Sequence, residues 1–471
     1  MLFNSPEYAA LLIVAFVGAW FLSRRRLPRA LWLLAASYFF YGCWSWKYLS
    51  LIFLSSTLDF FVGRALARQR RPAARRGLLA LSVCVDLGIL ATFKYFDFFV
   101  GSFVDLLAFL GLQVDPVHLR VLLPVGISFY TFQTLSYTID VYRRRMPPAD
   151  SYVEYLLFVS FFPQLVAGPI VRASHLLPQI SRRPSLSSER GSRALFRIGL
   201  GLVKKIAIAD FLGAHLVDKV FSDPSMYSSL ECLLGVYAYA FQIYADFSAY
   251  SDIAIGSAAL LGFEIPENFD APYRAANLRE FWQRWHISLS TWLRDYLYVP
   301  LGGSRHGKAR TYANLMITML LGGLWHGAAL TFVFWGLIHG LALVATRVFQ
   351  RLRSGDRSRS RWRQAIGVVA TFHLVCAGWV FFRAPDFELA AGVLGSIAAL
   401  DPGTANLQWP VLGMLLVAAV GHWIPRTWLD AASRAFHALP APLQAASLVG
   451  VLLALRQVAM TEVTPFIYFQ F

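Results

Sequence analysis

The sequence has few charged residues and few cysteines. Only 15% of its 471 residues are charged, and four are cysteine, whereas soluble domains carry about 25% charged residues. The low charge argues against a soluble enzyme, and cysteines without CxxC or Cys/His spacing argue against a disulfide scaffold and are expected to be small buried residues. The chain instead has 57% hydrophobic residues, 15% aromatic residues and a mean hydropathy of +0.52, which predicts an all-α polytopic membrane protein.

Apolar segments recur from one end of the chain to the other. They fall at about 7–22, 30–45, 47–63, 77–100, 119–140, 151–171, 195–216, 229–246, 249–263, 311–325, 328–346, 364–382, 408–424 and 443–459. We expect ten to thirteen of them to cross the membrane. Segment 151–171 contains Pro163, Gln164, Gly168 and Pro169 between two basic windows, so a re-entrant hairpin is favoured over a full crossing.

The positive charges are clustered. The net charge is +16, and most of the 43 Lys and Arg residues lie in six polar windows, at 24–29, 64–76, 143–145, 172–197, 274–310 and 347–363. The positive-inside rule places these windows in the cytoplasm. The excess of positive charge is therefore explained by membrane topology and attraction to anionic lipid rather than by nucleic-acid binding. The first apolar stretch precedes its arginines, the reverse of a secretory signal, and therefore predicts a first span with a periplasmic N-terminus.

A polar stretch near residue 280 has helical periodicity. From Phe281 to Leu297 the apolar residues, together with His286, share one arc of a helix. We expect one continuous amphipathic helix at the cytoplasmic interface, with its tryptophans at head-group depth. His286 is either a neutral core histidine bonded to a carbonyl or a functional group, because a charged imidazole in an apolar arc is costly.

A second histidine lies within an apolar stretch, LLGGLWHGA. His326 stands between Gly323 and Gly327, where the small residues permit close helix packing but do not explain an imidazole. Ionisable groups at such depth are functional candidates. The P-loop-like spacing at 302–308 lacks the final Ser or Thr and a preceding strand, and neither GxSxG nor HExxH occurs, so nucleotide hydrolysis, a serine hydrolase and a zincin metal site have no support.

These motifs resemble the membrane-bound O-acyltransferase (MBOAT) family, in particular its bacterial AlgI-like branch of alginate O-acetylation proteins. The resemblance rests on these stretches: FQTLSYTIDVYR (132–143), FFPQLVAGPIVR (161–172), YADFSAYSDIAIG (244–256), PENFDAPY (266–273), REFWQRWHISLSTWLRDYLYVPLGG (279–303), LLGGLWHGA (320–328) and the terminal FIYFQF (466–471). RWHIS followed by LWHG is the most specific part.

The resemblance implies a fold and a division of the chain. A ring of tilted helices with re-entrant segments would surround a central tunnel, within a single integral membrane domain spanning 1–471. N-terminal helices would occupy 1–145, the MBOAT catalytic core 146–345 and C-terminal helices 346–471. His326, in the family's WHG motif, would be catalytic, and His286 would be the second family histidine.

The expected reaction moves an acyl group from a cytosolic thioester to a hydroxyl, with His326 as general base. His286 or Ser290 would orient His326 or polarise the thioester carbonyl. The substrate path would involve Trp325, Gln164, Asp246, Ser248 and Tyr250, and Arg172, Arg284 and Arg294 would steer an anionic donor. We expect acetyl-CoA or a phosphopantetheinyl carrier protein as donor, no bound cofactor or metal, and a periplasmic SGNH-type acetyltransferase or other export protein as partner.

Two alternatives to an O-acetyltransferase for an exported polysaccharide stay open at this point. One is a D-alanyl transferase of the teichoic-acid type, which uses an acyl carrier protein. The other is a secondary transporter, against which we count the absence of a visible repeat and of paired acids within the helices.

Overall fold

The computed structural model describes residues 1–115, 119, 121–352, 360–458 and 466–467. These residues form helices and turns, and no strand occurs among them, as the composition predicts. They divide into two compact units, Met1–Ala194 with Ala254–Pro266 and Leu195–Ile253 with Glu267–Phe471. The predicted functional division at 145 and 345 stays a prediction.

The first unit is built on seven helices and shares two more with the second unit. The seven are α1 (Pro6–Phe21), α2 (Arg26–Arg68), α3 (Pro72–Leu90), α4 (Phe96–Phe109), α5 (Ile127–Tyr142), α6 (Tyr152–Ser160) and α7 (Ala173–Ser181), with a π-helical turn at Ala91–Tyr95 before α4. Helix α8 (Ser188–Leu202) contributes residues to both units. Inside α2, Ser45 leaves the helical conformation, with φ −160° and ψ 113°, which confirms the boundary predicted between 30–45 and 47–63.

The predicted hairpin begins as a helix that is too short to cross a membrane. Helix α6 has nine residues, about 14 Å at 1.5 Å per residue, whereas the hydrocarbon layer is about 30 Å thick. Residues 161–172 then run through turns without regular helix, and nearly all of them are buried. This geometry supports the hairpin interpretation, and its place in the membrane stays a prediction.

The first unit also contains a pair of buried acids that the sequence did not reveal. Asp59 of α2 and Asp86 of α3 are 0% and 1% exposed and lie close enough to interact. Ser82 donates to Asp59 at 2.6 Å, and Thr134 donates to Asp86 at 3.0 Å. The expectation that no acids pair within the helices was therefore wrong, because residues 27 positions apart meet only when α2 and α3 pack.

The second unit holds the remaining helices. These are α9 (Asp218–Val220), α10 (Ser229–Leu260, whose last residues belong to the first unit), α11 (Leu278–Arg284), α12 (Ile287–Leu293), α13 (Gly307–His326), α14 (Leu330–Leu352), α15 (Arg361–Arg383), α16 (Phe387–Ala398), α17 (Trp409–His422), α18 (Arg426–Ala438) and α19 (Ala441–Val458). Short π-helical turns at Val203–Asp210, Gly213–Val217 and Arg294–Tyr298 and 3-10 turns at Pro224–Met226 and Pro272–Arg274 connect them.

Glycines allow α13 and α14 to pack backbone against backbone. A Cβ added at Gly323 would overlap the carbonyl oxygen of Phe332, and one added at Gly336 would overlap that of Met319. Helices that approach this closely need a residue without a side chain at the crossing. The packing explanation for the glycines around His326 is therefore confirmed.

Within the described ranges, five helices are long and apolar enough to cross a membrane, at Arg26–Arg68, Pro72–Phe109, Leu330–Leu352, Arg361–Arg383 and Ala441–Val458. Shorter apolar helices lie at Pro6–Phe21, Phe387–Ala398 and Trp409–His422. The all-α polytopic class is thus confirmed, while the count of ten to thirteen spans and the central tunnel stay predictions. Part of the basic window 347–363 lies outside the described residues.

The expectation that all four cysteines are buried was wrong for two of them. Cys232 and Cys376 are buried, but Cys43 and Cys84 are exposed on the surfaces of α2 and α3. An apolar environment in the sequence does not distinguish a core position from the outer face of a membrane helix, where lipid replaces protein.

The glycine contact between α13 and α14 predicts a difference between two alanine substitutions. We expect Gly336→Ala to destabilise the protein by about 1 to 3 kcal/mol, because its Cβ meets main-chain atoms that cannot move aside. Gly413→Ala in α17 is the control, since a Cβ added there would meet no atom within 4 Å beyond its chain neighbours and its own helix backbone. Thermal unfolding in detergent would measure both, and equal melting temperatures would contradict the packing argument.

Candidate active site

The predicted amphipathic helix 281–297 is broken at its histidine. Helix α11 ends at Arg284 and α12 begins at Ile287, while His286 between them has a left-handed backbone, with φ 42° and ψ 55°. Asn268 stabilises this turn: its carbonyl oxygen accepts the Ile287 N–H at 2.9 Å and its Oδ1 accepts the Ser288 N–H at 3.2 Å. The continuous helix was therefore a wrong prediction, because a side chain from a distant segment caps α12 in its place.

The apolar arc itself is buried in protein. Phe281, Trp285, Leu289 and Trp292 are all less than 9% exposed. Trp285 is fully buried, and its ring centroid lies 5.0 Å from that of Trp379 in α15. The predicted head-group location is thus wrong for Trp285, whose ring packs inside the second unit instead of facing lipid.

His326 is the last residue of α13 and lies in an aromatic environment. It is 4% exposed. Its ring centroid lies 5.0 Å from that of Trp325, 5.1 Å from Trp335 and 5.2 Å from Phe382. The chain leaves the helix at Gly327, so the imidazole lies at a helix end rather than within a continuous span.

The fold brings the two predicted histidines together from 40 positions apart. The ring centroids of His286 and His326 are 6.5 Å apart, and Trp325 lies 6.0 Å from His286. Phe247 of α10 covers His286 edge-on at 4.7 Å. A separation of 6.5 Å is short enough for one oxygen atom to lie within hydrogen-bonding distance, about 2.6 to 3.2 Å, of both rings. The arrangement can therefore serve proton transfer at a single reacting group.

Burial keeps His286 neutral. Desolvation lowers the pKa of its imidazole to about 3, because an imidazolium in a water-excluded aromatic site loses its hydration. A neutral imidazole can accept a proton at physiological pH, as a general base must. Among the described residues, no group of three or more His, Cys, Asp and Glu side chains has the geometry to hold a metal ion.

Asn268 belongs to this site, although the sequence analysis did not select it. Its Oδ1 lies 3.2 Å from Nδ1 of His286 and 2.9 Å from the Ser288 hydroxyl, and its Nδ2 donates to the Ser251 hydroxyl at 3.2 Å. Asn268 is 0% exposed. The available signal was the asparagine of the motif PENFDAPY, since an amide that becomes buried needs polar partners.

The polar residues predicted to line a path on α10 have other partners. Asp246 accepts from Lys205 at 2.7 Å and from the Ile467 N–H at 2.8 Å, and Tyr250 packs against Phe466 at 4.7 Å. Ser248 has its hydroxyl 3.5 Å from the carbonyl oxygen of Ala245. In the same segment, Phe247 contacts the ring of His286. Residues 468–471 of the terminal FIYFQF motif lie outside the described residues.

Three of the predicted site residues lie within eight positions of His286 in the sequence, and each bonds to a nearby residue. Arg284 donates to Glu280 at 2.9 Å, Arg294 donates to Asp295 at 2.7 Å, and Ser290 donates to the carbonyl oxygen of Trp285 at 3.1 Å. The Arg294 side chain is 60% exposed. Of the two arginines, Arg294 therefore offers the more accessible positive charge for a soluble donor.

Gln164 and Arg172 belong to the first unit. Gln164 is 0% exposed and its Nε2 donates to the carbonyl oxygen of Phe158 at 2.9 Å, which stabilises the turn after α6. Arg172 is half-buried directly before α7. Their predicted roles toward the substrate stay predictions.

The fold and the site define a class before any comparison: a multi-pass α-helical membrane protein with two facing, buried histidines. Comparison then identifies the family. The model of the MBOAT, membrane-bound O-acyltransferase family, matches residues 142–383, which extends past residue 345, the predicted end of the catalytic core. The chain belongs to the membrane-bound O-acyltransferase family, and it is an O-acyltransferase that resides in a lipid bilayer.

Curated relatives cover most of the chain. It is 42% identical over 426 residues, 89% of this chain and 80% of the relative, to the probable alginate O-acetylase AlgI of Pseudomonas aeruginosa. It is 36% identical over 431 residues, 85% of this chain and 80% of the relative, to the peptidoglycan O-acetyltransferase of Helicobacter pylori. It is 29% identical over 311 residues, 60% of this chain and 75% of the relative, to the teichoic acid D-alanyltransferase of Streptococcus thermophilus.

The low pKa of His286 predicts a specific loss of stability in acid. An exposed imidazole has a pKa near 6.5, so the unfolded chain binds a proton below that pH while the folded chain excludes it. The stabilisation is complete above pH 6.5 and is lost as the pH falls toward 3, by about 2 kcal/mol at pH 5. Thermal unfolding at pH 8 and pH 5 should show a smaller pH effect in His286→Gln, and an equal effect would contradict burial of a neutral imidazole.

Proposed function

We propose that this protein is an O-acetyltransferase of the bacterial inner membrane, with its N-terminus in the periplasm. It would move an acetyl group from a cytosolic thioester donor across the membrane for O-acetylation of an exported polysaccharide, alginate-like or another exopolysaccharide. The observation that carries the catalytic part of the proposal is the buried pair His286 and His326, 6.5 Å apart between ring centroids. The acetyl group and the class of acceptor are taken from the printed names of the relatives.

His326 is the general base in this proposal. It accepts the proton of the acceptor hydroxyl as the hydroxyl oxygen attacks the thioester carbonyl carbon, and it returns the proton to the thiolate when the carbon–sulfur bond breaks. Two roles are open to His286, orientation of His326 or polarisation of the thioester carbonyl. The surrounding Trp325, Trp335 and Phe382 rings exclude water that would otherwise hydrolyse the donor.

The donor carries a phosphopantetheine arm, whether as acetyl-CoA or on an acyl carrier protein, and no resident cofactor is required. Both donors are anionic, and the exposed Arg294 guanidinium can attract either. On the other side of the membrane, a periplasmic SGNH-type acetyltransferase or another export protein would receive the acetyl group.

Identity favours acetyl over D-alanyl transfer. The two O-acetylation relatives are 42% and 36% identical over 85% or more of this chain, whereas the D-alanyltransferase is 29% identical over 60% of it. D-alanyl transfer from a carrier protein therefore remains the second candidate. Family membership removes the secondary transporter from consideration, even though acids do pair within α2 and α3.

The histidine mechanism predicts the result of a single substitution. We expect His326→Ala to lower the turnover number for acetyl transfer by about 100- to 10,000-fold, because the general base is lost. Acetylation of exported polysaccharide, normalised to the amount of folded protein in the membrane, would measure it.

His422→Ala is the matched control for that substitution. His422 is also buried in the second unit and its Nε2 accepts the Tyr273 N–H at 3.1 Å. We expect it to lower stability and to leave turnover per folded molecule within a few-fold of the unmodified value. Retained acetylation by the His326→Ala protein would overturn the catalytic assignment.

The donor can be identified directly. Purified protein in liposomes, given acetyl-CoA or an acetylated carrier protein with labelled acetyl groups, should transfer label from one of them to a soluble oligosaccharide. We expect His326→Ala to abolish that transfer. Transfer of D-alanine but not of acetyl groups from a charged carrier protein would replace the acetyl proposal with the D-alanyl one.

A further inference from the structure

Three hydrogen bonds determine which way the Asn268 amide faces. The backbone N–H of Ser288 can only donate, so the amide atom 3.2 Å from it is an oxygen. The Ser288 hydroxyl donates to the same oxygen at 2.9 Å, and the other amide atom donates to the Ser251 hydroxyl at 3.2 Å. The oxygen Oδ1 of Asn268 therefore faces Nδ1 of His286.

That orientation determines the proton position on His286. Oδ1 of Asn268 has no hydrogen to give, so the 3.2 Å contact with Nδ1 is a hydrogen bond only if Nδ1 carries the hydrogen. The alternative, a bond from the Ser288 hydroxyl to Nδ1, is longer at 3.5 Å and would place two lone pairs against each other at Asn268. In the neutral ring, hydrogen on Nδ1 leaves the lone pair on Nε2.

We infer that Asn268 is a positioning residue that fixes His286 as the Nδ1–H tautomer, so that Nε2 is the proton-accepting atom of His286 in the histidine pair. This inference rests on the proposed function and decides between the two roles open to His286. A neutral imidazole with its lone pair on Nε2 cannot donate a hydrogen bond from that atom to a thioester carbonyl. It accepts one instead, from His326 or from the acceptor hydroxyl.

The backbone supports the same assignment. The left-handed conformation of His286, φ 42°, is uncommon for a residue with a side chain. It turns the chain so that the Ile287 and Ser288 N–H groups both reach Asn268. The amide thus bonds the imidazole and the first turn of α12 with one oxygen, which couples the ring orientation to the main chain.

The coupling also raises a competing explanation, that Asn268 serves only as a helix cap. The substitution Asn268→Asp separates the two roles in part. Its carboxylate can accept hydrogen bonds from the Ser288 N–H, the Ser288 hydroxyl and the His286 Nδ1–H, while the Ser251 hydroxyl rotates to donate a hydrogen bond to it. Leucine is close in size and can accept from none of them. The direct discriminator is the tautomer, which a cap has no need to specify.

The test is nitrogen-15 NMR of the full-length protein in detergent, labelled at histidine, with the His286 signals assigned by their loss in His286→Gln. We expect the unmodified protein and Asn268→Asp to carry hydrogen on Nδ1 of His286. We expect Asn268→Leu to lose that signature and to lower the turnover number per folded molecule by about 10- to 100-fold, with Asp restoring much of it.

Asn314→Leu is the matched control. Asn314 is also fully buried in the second unit, and its Nδ2 donates to the carbonyl oxygen of Gly303 at 3.0 Å, with no histidine as partner of that bond. We expect a comparable loss of stability, unchanged His286 signals and unchanged turnover per folded molecule.

Hydrogen on Nε2 of His286 in the unmodified protein would overturn the inference. An Asn268→Leu protein that keeps the Nδ1–H signature or full turnover would overturn it as well. Failure of the proposed function is a separate result, since retained transfer by His326→Ala contradicts the histidine mechanism whatever the tautomer of His286.

Discussion

The site depends on the hydrogen bonds between Asn268 and the turn at His286. They stabilise the break between α11 and α12, where the periodicity of residues 281–297 predicts one continuous helix. Two main-chain N–H groups and one ring nitrogen converge on one residue: the Ile287 N–H on the main-chain carbonyl oxygen of Asn268, and the Ser288 N–H and Nδ1 of His286 on its Oδ1. Because these donors are buried, leaving any of them unbonded is costly, about 1 to 3 kcal/mol each, and the turn is held in one conformation.

The second constraint is steric. His326 reaches its position because α13 and α14 approach each other at Gly323 and Gly336 with no side chain between them. That approach brings Trp335 of α14 against the His326 ring at 5.1 Å. The glycines therefore allow the close crossing of α13 and α14. That crossing encloses His326 in aromatic rings that exclude water.

In the second unit, the surroundings of the buried charged side chains differ from those of the buried His286 imidazole. On α10, Asp246 pairs with Lys205 and Asp252 pairs with Lys204, each at 2.7 Å, so the cost of burying each charge is offset by a partner. His286 is surrounded by an aromatic ring, a second imidazole and an amide. In that environment the neutral form is favoured, which suits a proton acceptor and leaves the ion pairs a structural role.

Composition, hydropathy and motif spacing were enough to predict the all-α membrane class and the family and to select the two candidate histidines, because those properties depend on local residue types and on transfer free energy from water to lipid. The sequence also indicated the break at Ser45 and the apolar arc that begins at Phe281. It did not reveal the break at His286, the Asp59 and Asp86 pair, the partners of Asp246 or the part played by Asn268. Each of these depends on a polar group finding a partner far away in sequence, and only the packed chain decides which partner lies within 3 Å.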